Sequence, residues 1–451
     1  MLVRFWGTRG SLAKPGPTTV RYGGNTSCVE VRLADQTLVV LDCGTGAHAL
    51  GQALQSSCAG PLRGHLLITH THWDHIQGFP FFQPLFVPGN EWDLYAPGSV
   101  GQQLETTLAG QMEYTYFPVT LEQLDATIRF HDLVESQFSI GRARIVTQYL
   151  NHPALTLGYR LESDDVTVVY VADHEPHMRG RPEDSPASST AGGPLHREDQ
   201  RHVEFLTGAD LVIHDAQYTA EEYPRRIGWG HSPAEWAVDY ALAAGARRLA
   251  LFHHDPSRDD DAVDRLVEIC RERVIAVGGR LDVFGAAEGQ AIEVTAGERG
   301  GPHPASPRAA APEVPDTHGP PTVLVADDDP TIVALLTATL RQDGFRVLTA
   351  GDGEAALRMA RAERPALILL DWRMPALEGV EVTQALRSDP DPYLRSVPIV
   401  LLTGETGSEN TAAGFAAGVT DYLTKPFKPP FVRARVRAWL VRGSAPSATG
   451  A

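Results

Sequence analysis

The stretch Leu66-Leu67-Ile68-Thr69-His70-Thr71-His72-Trp73-Asp74-His75 runs from an apolar strand straight into three histidines and an aspartate. An H-x-H-x-D-H run at the carboxyl end of a strand sets His70, His72, Asp74 and His75 on one turn. Two of them can face one cation and two a second cation beside it. Buried core histidines do not cluster in this way, and a solvated polar loop has no use for three imidazoles. The pattern predicts a metal centre.

Outward from this run, other short apolar stretches also end on residues able to bind metal. Ile145–Leu150 leads to His152, Val166–Ala172 to Asp173, Leu211–Ile213 to His214 and Asp215, and Leu249–Phe252 to His253 and His254. Upstream, Cys28–Leu33, Leu38–Asp42 and Leu66–Thr69 alternate with Gly-rich turns. Strands that repeatedly end on polar side chains describe a sheet with its site along one edge.

In order, the chain carries Gly-Gly-Asn-Thr-Ser-Cys (23–28), Leu-Asp-Cys-Gly-Thr-Gly (41–46), the histidine run, Asn-His-Pro (151–153), Val-Ala-Asp (171–173), Gly-Trp-Gly-His-Ser (228–232) and Leu-Phe-His-His-Asp (251–255). This set resembles the metallo-β-lactamase fold superfamily over residues 1–295, and within it the branch of ribonuclease Z and related phosphodiesterases. The resemblance implies an αββα sandwich with a dinuclear site between its sheets. His70, His72 and His152 resemble the ligands of the first metal, Asp74, His75 and His253 those of the second, and Asp173 the bridging carboxylate. His254 is the rival to His253; pairing Leu251-Phe252-His253 with the family's strand-ending histidine favours His253. Zn²⁺, Mn²⁺ or Fe²⁺ suits a His/Asp set without cysteine. Asp42 is expected to orient ligands from behind.

Two such cations can activate water at neutral pH and hold phosphoryl oxygens. Asp74 is therefore counted with the catalytic group as well as with the metal. His231 resembles the family histidine near the departing group, and Asp215 the acid that orients it, an arrangement suited to general acid catalysis. The other reading of His231 is a helix-start residue before Ser232-Pro233. His214 is expected in the core or behind the ligands. His174 stands where relatives often carry a hydroxyl. No long Gly-rich basic arm is present, which counts against transfer RNA as substrate. Residues 79–118, rich in Phe and Tyr, either wall a pocket for a flat group or roof the core.

From Thr322 the pattern alternates strictly: strand Val323–Ala326, helix Thr331–Leu340, strand Arg346–Thr349, helix Glu354–Ala362, strand Ala366–Leu370, helix Val380–Leu386, strand Pro398–Leu402, a small helix near 409–417, strand Asp421–Leu423 and a helix from Pro430. Five βα units in this length predict a doubly wound parallel sheet with its site at the carboxyl strand ends. Those ends carry Asp327, Asp328, Asp371, Thr403 and Lys425. Carboxylates converging beside a lysine need a divalent cation among them. The set resembles a response-regulator receiver domain. That implies Asp371 as phosphoacceptor, Mg²⁺ on Asp327 and Asp328 with the Arg373 carbonyl, phosphoryl contacts from Thr403 and Lys425, and Tyr422 as the switching aromatic.

The fold class expected is α/β: an amino-terminal metallo-β-lactamase sandwich and a doubly wound (βα)5 receiver. The expected divisions are 1–295 for the metal-dependent hydrolase, 296–321 for a Pro/Gly/Ala-rich linker, 322–442 for the receiver and 443–451 for a frayed tail. A polar surface insertion is expected at about 179–200. With 451 residues and a net charge of −17, the chain lacks the positive field that non-specific nucleic-acid or membrane binding needs. Cys28, Cys43, Cys58 and Cys270 show neither metal nor disulfide spacing, the amino terminus lacks a signal-peptide layout, and no apolar run could span a bilayer. A cytoplasmic enzyme is expected. Its partners would be a histidine kinase or phosphotransfer protein and a small phosphodiester such as a cyclic nucleotide, with no membrane; a homodimer is left open. Rival readings are a thioester or lactone hydrolase on the same metals, and a signalling adaptor that binds a ligand without turnover.

Overall fold

The computed structural model describes residues 1–57, 60–98, 104–177, 197–297, 320–404, 417–425, 427 and 429–443. The expected linker lies almost wholly outside these residues. So do Cys58, most of the 179–200 stretch, nearly all of the helix expected near 409–417, and the tail beyond Gly443. The chain divides into two compact units, Met1–Ser306 and Pro307–Ala451.

In the first unit, two seven-stranded sheets face each other. One runs Ala291–Glu293, Leu2–Gly7, Cys28–Arg32, Leu38–Leu41, Arg63–Leu67, Glu91–Pro97, Thr127–Leu133, parallel from Leu38–Leu41 onward. The other runs Asp282–Gly285, Arg248–Phe252, Leu211–Asp215, Val166–Val171, Leu157–Ser163, Ala143–Tyr149, Gln137–Ile140, with its first four strands parallel. Val166–Val171 is buried at every position, as a central strand covered on both faces must be. Edge strand Thr127–Leu133 contains exposed residues instead.

Phe5 of the first sheet meets Phe252 of the second at 6.1 Å, and Tyr170 packs edge-on to Phe252. Tyr159 and Tyr170 reach across to donate hydroxyl hydrogen bonds to Ile68 O and Asp42, both at 2.7 Å. Helices Arg197–Leu206, Ala234–Ala243 and Asp260–Ala276 cover the outer face of the second sheet through a core of Val169, Val212, Leu249, Tyr240 and Leu266. Helices Ala47–Ser57 and Leu104–Gln111 cover the first. Phe79, Phe82 and Leu85 of the aromatic stretch are fully buried in that same core, so most of its first half roofs the sheet; Phe81, Tyr114 and Tyr116 remain exposed.

The second unit is a five-stranded parallel sheet in the order Arg346–Ala350, Thr322–Ala326, Leu367–Asp371, Ile399–Thr403, Asp421–Thr424. Its strands feed two cores by alternation. Val323, Val325, Leu367, Leu369, Val400 and Leu402 pack with Leu336, Leu340, Val436 and Trp439. Leu324, Ile368, Leu370 and Leu401 pack with Ala356, Ala360, Val382 and Leu386. Helices Pro330–Gln342 and Gly353–Glu363 start on Asp329 and Asp352, whose carboxylates accept from Thr331 N and Ala355 N. A short helix, Pro392–Ser396, was not expected from the sequence; Asp391 caps it and Pro392 opens it.

Candidate metal centre

The carboxyl ends of strands from both sheets converge on one cleft. Its lining is Ser11, Thr71, His72, Trp73, Asp74, Asp173 and His231, around a volume of about 540 Å³. Two groups of side chains meet there, each with ligand atoms within 4.8 Å of one another: His70, His72, His152 and Asp173, and beside them Asp74, His75 and His253.

Asp173 stands between them. Its Oδ2 lies 3.6 Å from both His70 Nε2 and His152 Nε2, and its Oδ1 lies 3.2 Å from both His75 Nε2 and His253 Nε2. Asp74 Oδ2 is 3.1 Å from His253 Nε2 and 3.3 Å from His75 Nε2. His72 Nδ1 is 3.1 Å from His152 Nε2. His72 is the exposed member, on the solvent side.

His70 Nε2, His75 Nε2 and Asp173 Oδ1 are buried and have no hydrogen-bond partner among the described residues. Polar atoms left in that state are costly, and a pair of divalent cations would satisfy all three. The donor set of imidazoles and carboxylates fits such ions.

Electrostatics agree with crowded, neutral imidazoles on one side. Burial, with His75 and His72 nearby, holds His70 well below its ordinary pKa; burial likewise lowers His152. Around His75, burial opposes the charged form, but Asp74, Asp173 and Asp42 outweigh it and raise the pKa well above the usual value.

Local backbone features bring these groups together. His253 adopts φ +60, a left-handed conformation unusual outside glycine. Its ring lies so near the loop that a Cβ on Gly10 would sit 2.3 Å from Nδ1. Gly230, at φ +88, allows its carbonyl to accept from His152 Nδ1 at 2.9 Å, and a Cβ there would meet that nitrogen at 2.2 Å.

Asp42, fully buried, contacts His75 Nδ1 at 2.8 Å while accepting from Thr69 N and Tyr170 OH at 2.7 Å each. His254, the rival, is elsewhere: its Nε2 donates to Ala286 O at 2.9 Å, and burial lowers its pKa to about 3.

His231 Nδ1 is 3.0 Å from Asp215 Oδ2 and 3.9 Å from Asp173 Oδ2. Burial disfavours its charged form, but Asp215, and then Asp173 and Asp74, lift its pKa to about 9. The segment does lead into a helix, but neither His231 nor Ser232 caps it. The helix begins at Ala234 with Pro233 as its cap, and Ser232 Oγ donates to His174 O at 2.6 Å.

Three residues that sequence reasoning passed over shape the cleft. Ser11 N donates to Asp74 Oδ2 at 2.7 Å. Trp73 is 75% exposed at the rim, the place that one reading of the 79–118 stretch gives to its Phe and Tyr side chains. Glu175, 1% exposed, accepts from Gly228 N, Gly230 N and Tyr223 OH, and so holds the Gly-Trp-Gly loop. In the sequence it is marked only as an acid two positions past Asp173.

In the second unit, Asp327, Asp328 and Asp371 bring carboxylate oxygens within 4.8 Å of one another. Lys425 Nζ lies 2.7 Å from Asp327 and 2.6 Å from Asp371. Arg373 contributes its N–H to Asp371 Oδ2 at 3.1 Å. Thr403 ends the next strand, its carbonyl accepting from Lys425 N. Tyr422 is buried and stacks on Trp372 at 6.2 Å. Among the described residues no helix is long and apolar enough to cross a membrane.

Residues 37–254 match the Beta-lactamase superfamily domain, and residues 323–437 the Response regulator receiver domain. The DNA-binding response regulator MtrA of Mycolicibacterium smegmatis is 44% identical over 120 residues, 27% of this chain and 50% of that protein. The chain spans about half the length of the curated relatives it matches. Among solved structures, the metallo-beta-lactamase fold protein YhfI from Bacillus subtilis aligns with TM-score 0.44 and 17% identity, over 64% of this chain and 98% of that one. A putative response regulator from Chloroflexus aurantiacus aligns with TM-score 0.26 and 35% identity, over 27% of this chain and 99% of its own. The chain thus joins a segment that matches the Beta-lactamase superfamily domain to one that matches the Response regulator receiver domain.

Proposed function

We propose that the first domain is a dinuclear metal-dependent phosphodiesterase acting on a small phosphodiester, and that phosphorylation of Asp371 in the second modulates it. The observation that carries the first half is Asp173, which turns one oxygen to each of two histidine-rich groups. In this reading His70, His72 and His152 hold one cation, Asp74, His75 and His253 the other, and Asp173 both. When bound, such a pair supplies Lewis acidity to phosphoryl oxygens and makes water nucleophilic at neutral pH. Zn²⁺, Mn²⁺ and Fe²⁺ all suit these ligands.

The protein's own groups do the rest. Asp74 combines ligation with a hydrogen bond from Ser11 that fixes the near wall. In this reading His231, backed by Asp215 at Nδ1, is the group that offers an Nε2–H to the departing oxygen. As the P–O bond breaks, that proton passes to the alkoxide and His231 becomes neutral. His231→Gln is therefore expected to lower kcat by about 10²-fold or more on an alkyl phosphodiester. On a p-nitrophenyl ester, whose leaving group needs little protonation, the loss should be far smaller. Equal losses on both substrates would remove the general-acid role.

Trp73 offers a flat exposed surface beside the cleft. Stacking on such a ring is worth roughly 1–3 kcal/mol per base. Trp73→Ala is expected to raise KM about 5- to 100-fold for a cyclic nucleotide and to leave a methyl phosphodiester unchanged, as steady-state kinetics would read.

The receiver half of the proposal rests on the Asp327/Asp328/Asp371 group beside Lys425. A histidine kinase or phosphotransfer protein would supply the phosphoryl group, Mg²⁺ would be held by the acids with the Arg373 carbonyl, Thr403 and Lys425 would contact the phosphoryl oxygens, and Tyr422 would change rotamer. The test of the enzyme is hydrolysis of bis(p-nitrophenyl) phosphate by Mn²⁺- or Zn²⁺-loaded protein. Turnover supports the reading. Silence on phosphodiesters with turnover of thioesters would replace it.

A further inference from the structure

A second group of buried histidines lies on the outer side of the second sheet, away from the cleft. His174 and His177 follow Asp173 in the chain, Asp199 and His202 lie one turn apart on helix Arg197–Leu206, and His214 shares a strand face with Val212 of the helix-side core. All five are 6% exposed or less. His174, His177 and Asp199 each bring one ligand atom within 4.8 Å of the others. We infer that these three residues bind a transition-metal ion of the zinc class, at a site separate from the dinuclear cleft.

Asp199 is held in place by Tyr240 OH at 2.9 Å and by His177 N at 3.0 Å, both donating to Oδ1. His177 Nδ1 lies 3.4 Å from the same oxygen. A nitrogen and an oxygen at that separation suit two donors on one tetrahedral ion, so His177 would bind through Nδ1 beside Asp199.

Proton bookkeeping around His202 points the same way. His214 Nδ1–H donates to Asp215 O at 2.7 Å, so its Nε2 accepts from His202 Nε2–H at 3.0 Å. His202 Nδ1 is then a bare lone pair, buried and without a hydrogen-bond partner among the described residues. Its ring stacks on His174 at 3.9 Å, so a fourth imidazole lines the same pocket.

Neutral imidazoles and one carboxylate favour Zn²⁺ over Mg²⁺ or Ca²⁺. One contact opposes uptake: Asn151 N reaches His174 Nδ1 at 3.2 Å. Ligation through Nε2 moves the ring proton to Nδ1 and breaks it. The ion would tie the stretch carrying Asp173 to helix Arg197–Leu206, and so steady the carboxylate shared by the cleft.

Zinc content of the untagged full-length chain, loaded with Zn²⁺ and gel-filtered, tests this by mass spectrometry against His177→Gln and Asp199→Asn. Each variant is expected to hold one equivalent fewer than the wild type. Equal zinc in all three overturns the site. Should the variants fail to fold by circular dichroism, Co²⁺ titration of the wild type decides. A third equivalent with the intense visible bands of tetrahedral, nitrogen-ligated Co²⁺, which the all-oxygen receiver site cannot give, supports the site, and only two equivalents with nitrogen-ligated bands overturn it.

Discussion

Asp173→Ala is expected to reduce kcat/KM on bis(p-nitrophenyl) phosphate by at least about 10³-fold, about 4 kcal/mol of transition-state stabilisation. The residue is 1% exposed and, among the described residues, is the one carboxylate that faces His70, His152, His75 and His253 together. Without it, no anion is shared between the His70/His152 pair and the His75/His253 pair, and each cation would lose a donor. Metal analysis of the same sample should show the loss of at least one equivalent. Activity within tenfold of the wild type, with metal retained, would end the dinuclear reading. Circular dichroism separates loss of the site from loss of the fold.

Asp371→Asn is expected to abolish phosphoryl uptake from a small-molecule phosphodonor, since an amide cannot form the acyl phosphate. The carboxylate is 8% exposed, with Oδ1 2.6 Å from Lys425 Nζ and Oδ2 3.1 Å from Arg373 N. Radiolabel should reach about one phosphoryl group per chain in the wild type and stay at background in the variant. Coupling between the domains is then read from hydrolysis with and without donor. Allosteric couplings of about 1–3 kcal/mol correspond to rate or affinity changes of about 5- to 150-fold. A donor-dependent change in the wild type that vanishes in Asp371→Asn supports regulation. An unchanged hydrolysis rate and oligomeric state in the wild type would leave the receiver without influence on the enzyme.

Much of this protein is legible in short windows of sequence because its decisive signals are local. The step from an apolar strand to His70, His72, Asp74 and His75 spans ten residues. The alternation of strand and helix after Thr322 repeats over a few turns, and period-two burial then sorts Val323, Val325 and Leu324, Ile368 into two cores without reference to distant residues. Strand ends at His152, Asp173 and Asp215 could be read in the same way, because a polar residue closing an apolar run marks the edge of a sheet.

Choices that depend on contacts far apart in sequence could not be read so. Whether His253 or His254 enters the cleft turns on a left-handed backbone at His253 and on Gly10 making room for its ring; its partner Asp74 is 179 positions away. Phe79 and Phe82 are as aromatic as any pocket wall, but their burial against the core beneath helix Ala47–Ser57 hands the exposed surface beside the cleft to Trp73. The grouping of His174, His177 and Asp199 arises only when a strand end and a helix are packed on the same sheet. Local sequence dictates which side chains alternate, cap and terminate elements. Which imidazole nitrogens share a space is decided by packing, where a single φ angle or a missing Cβ moves a ring by several ångströms.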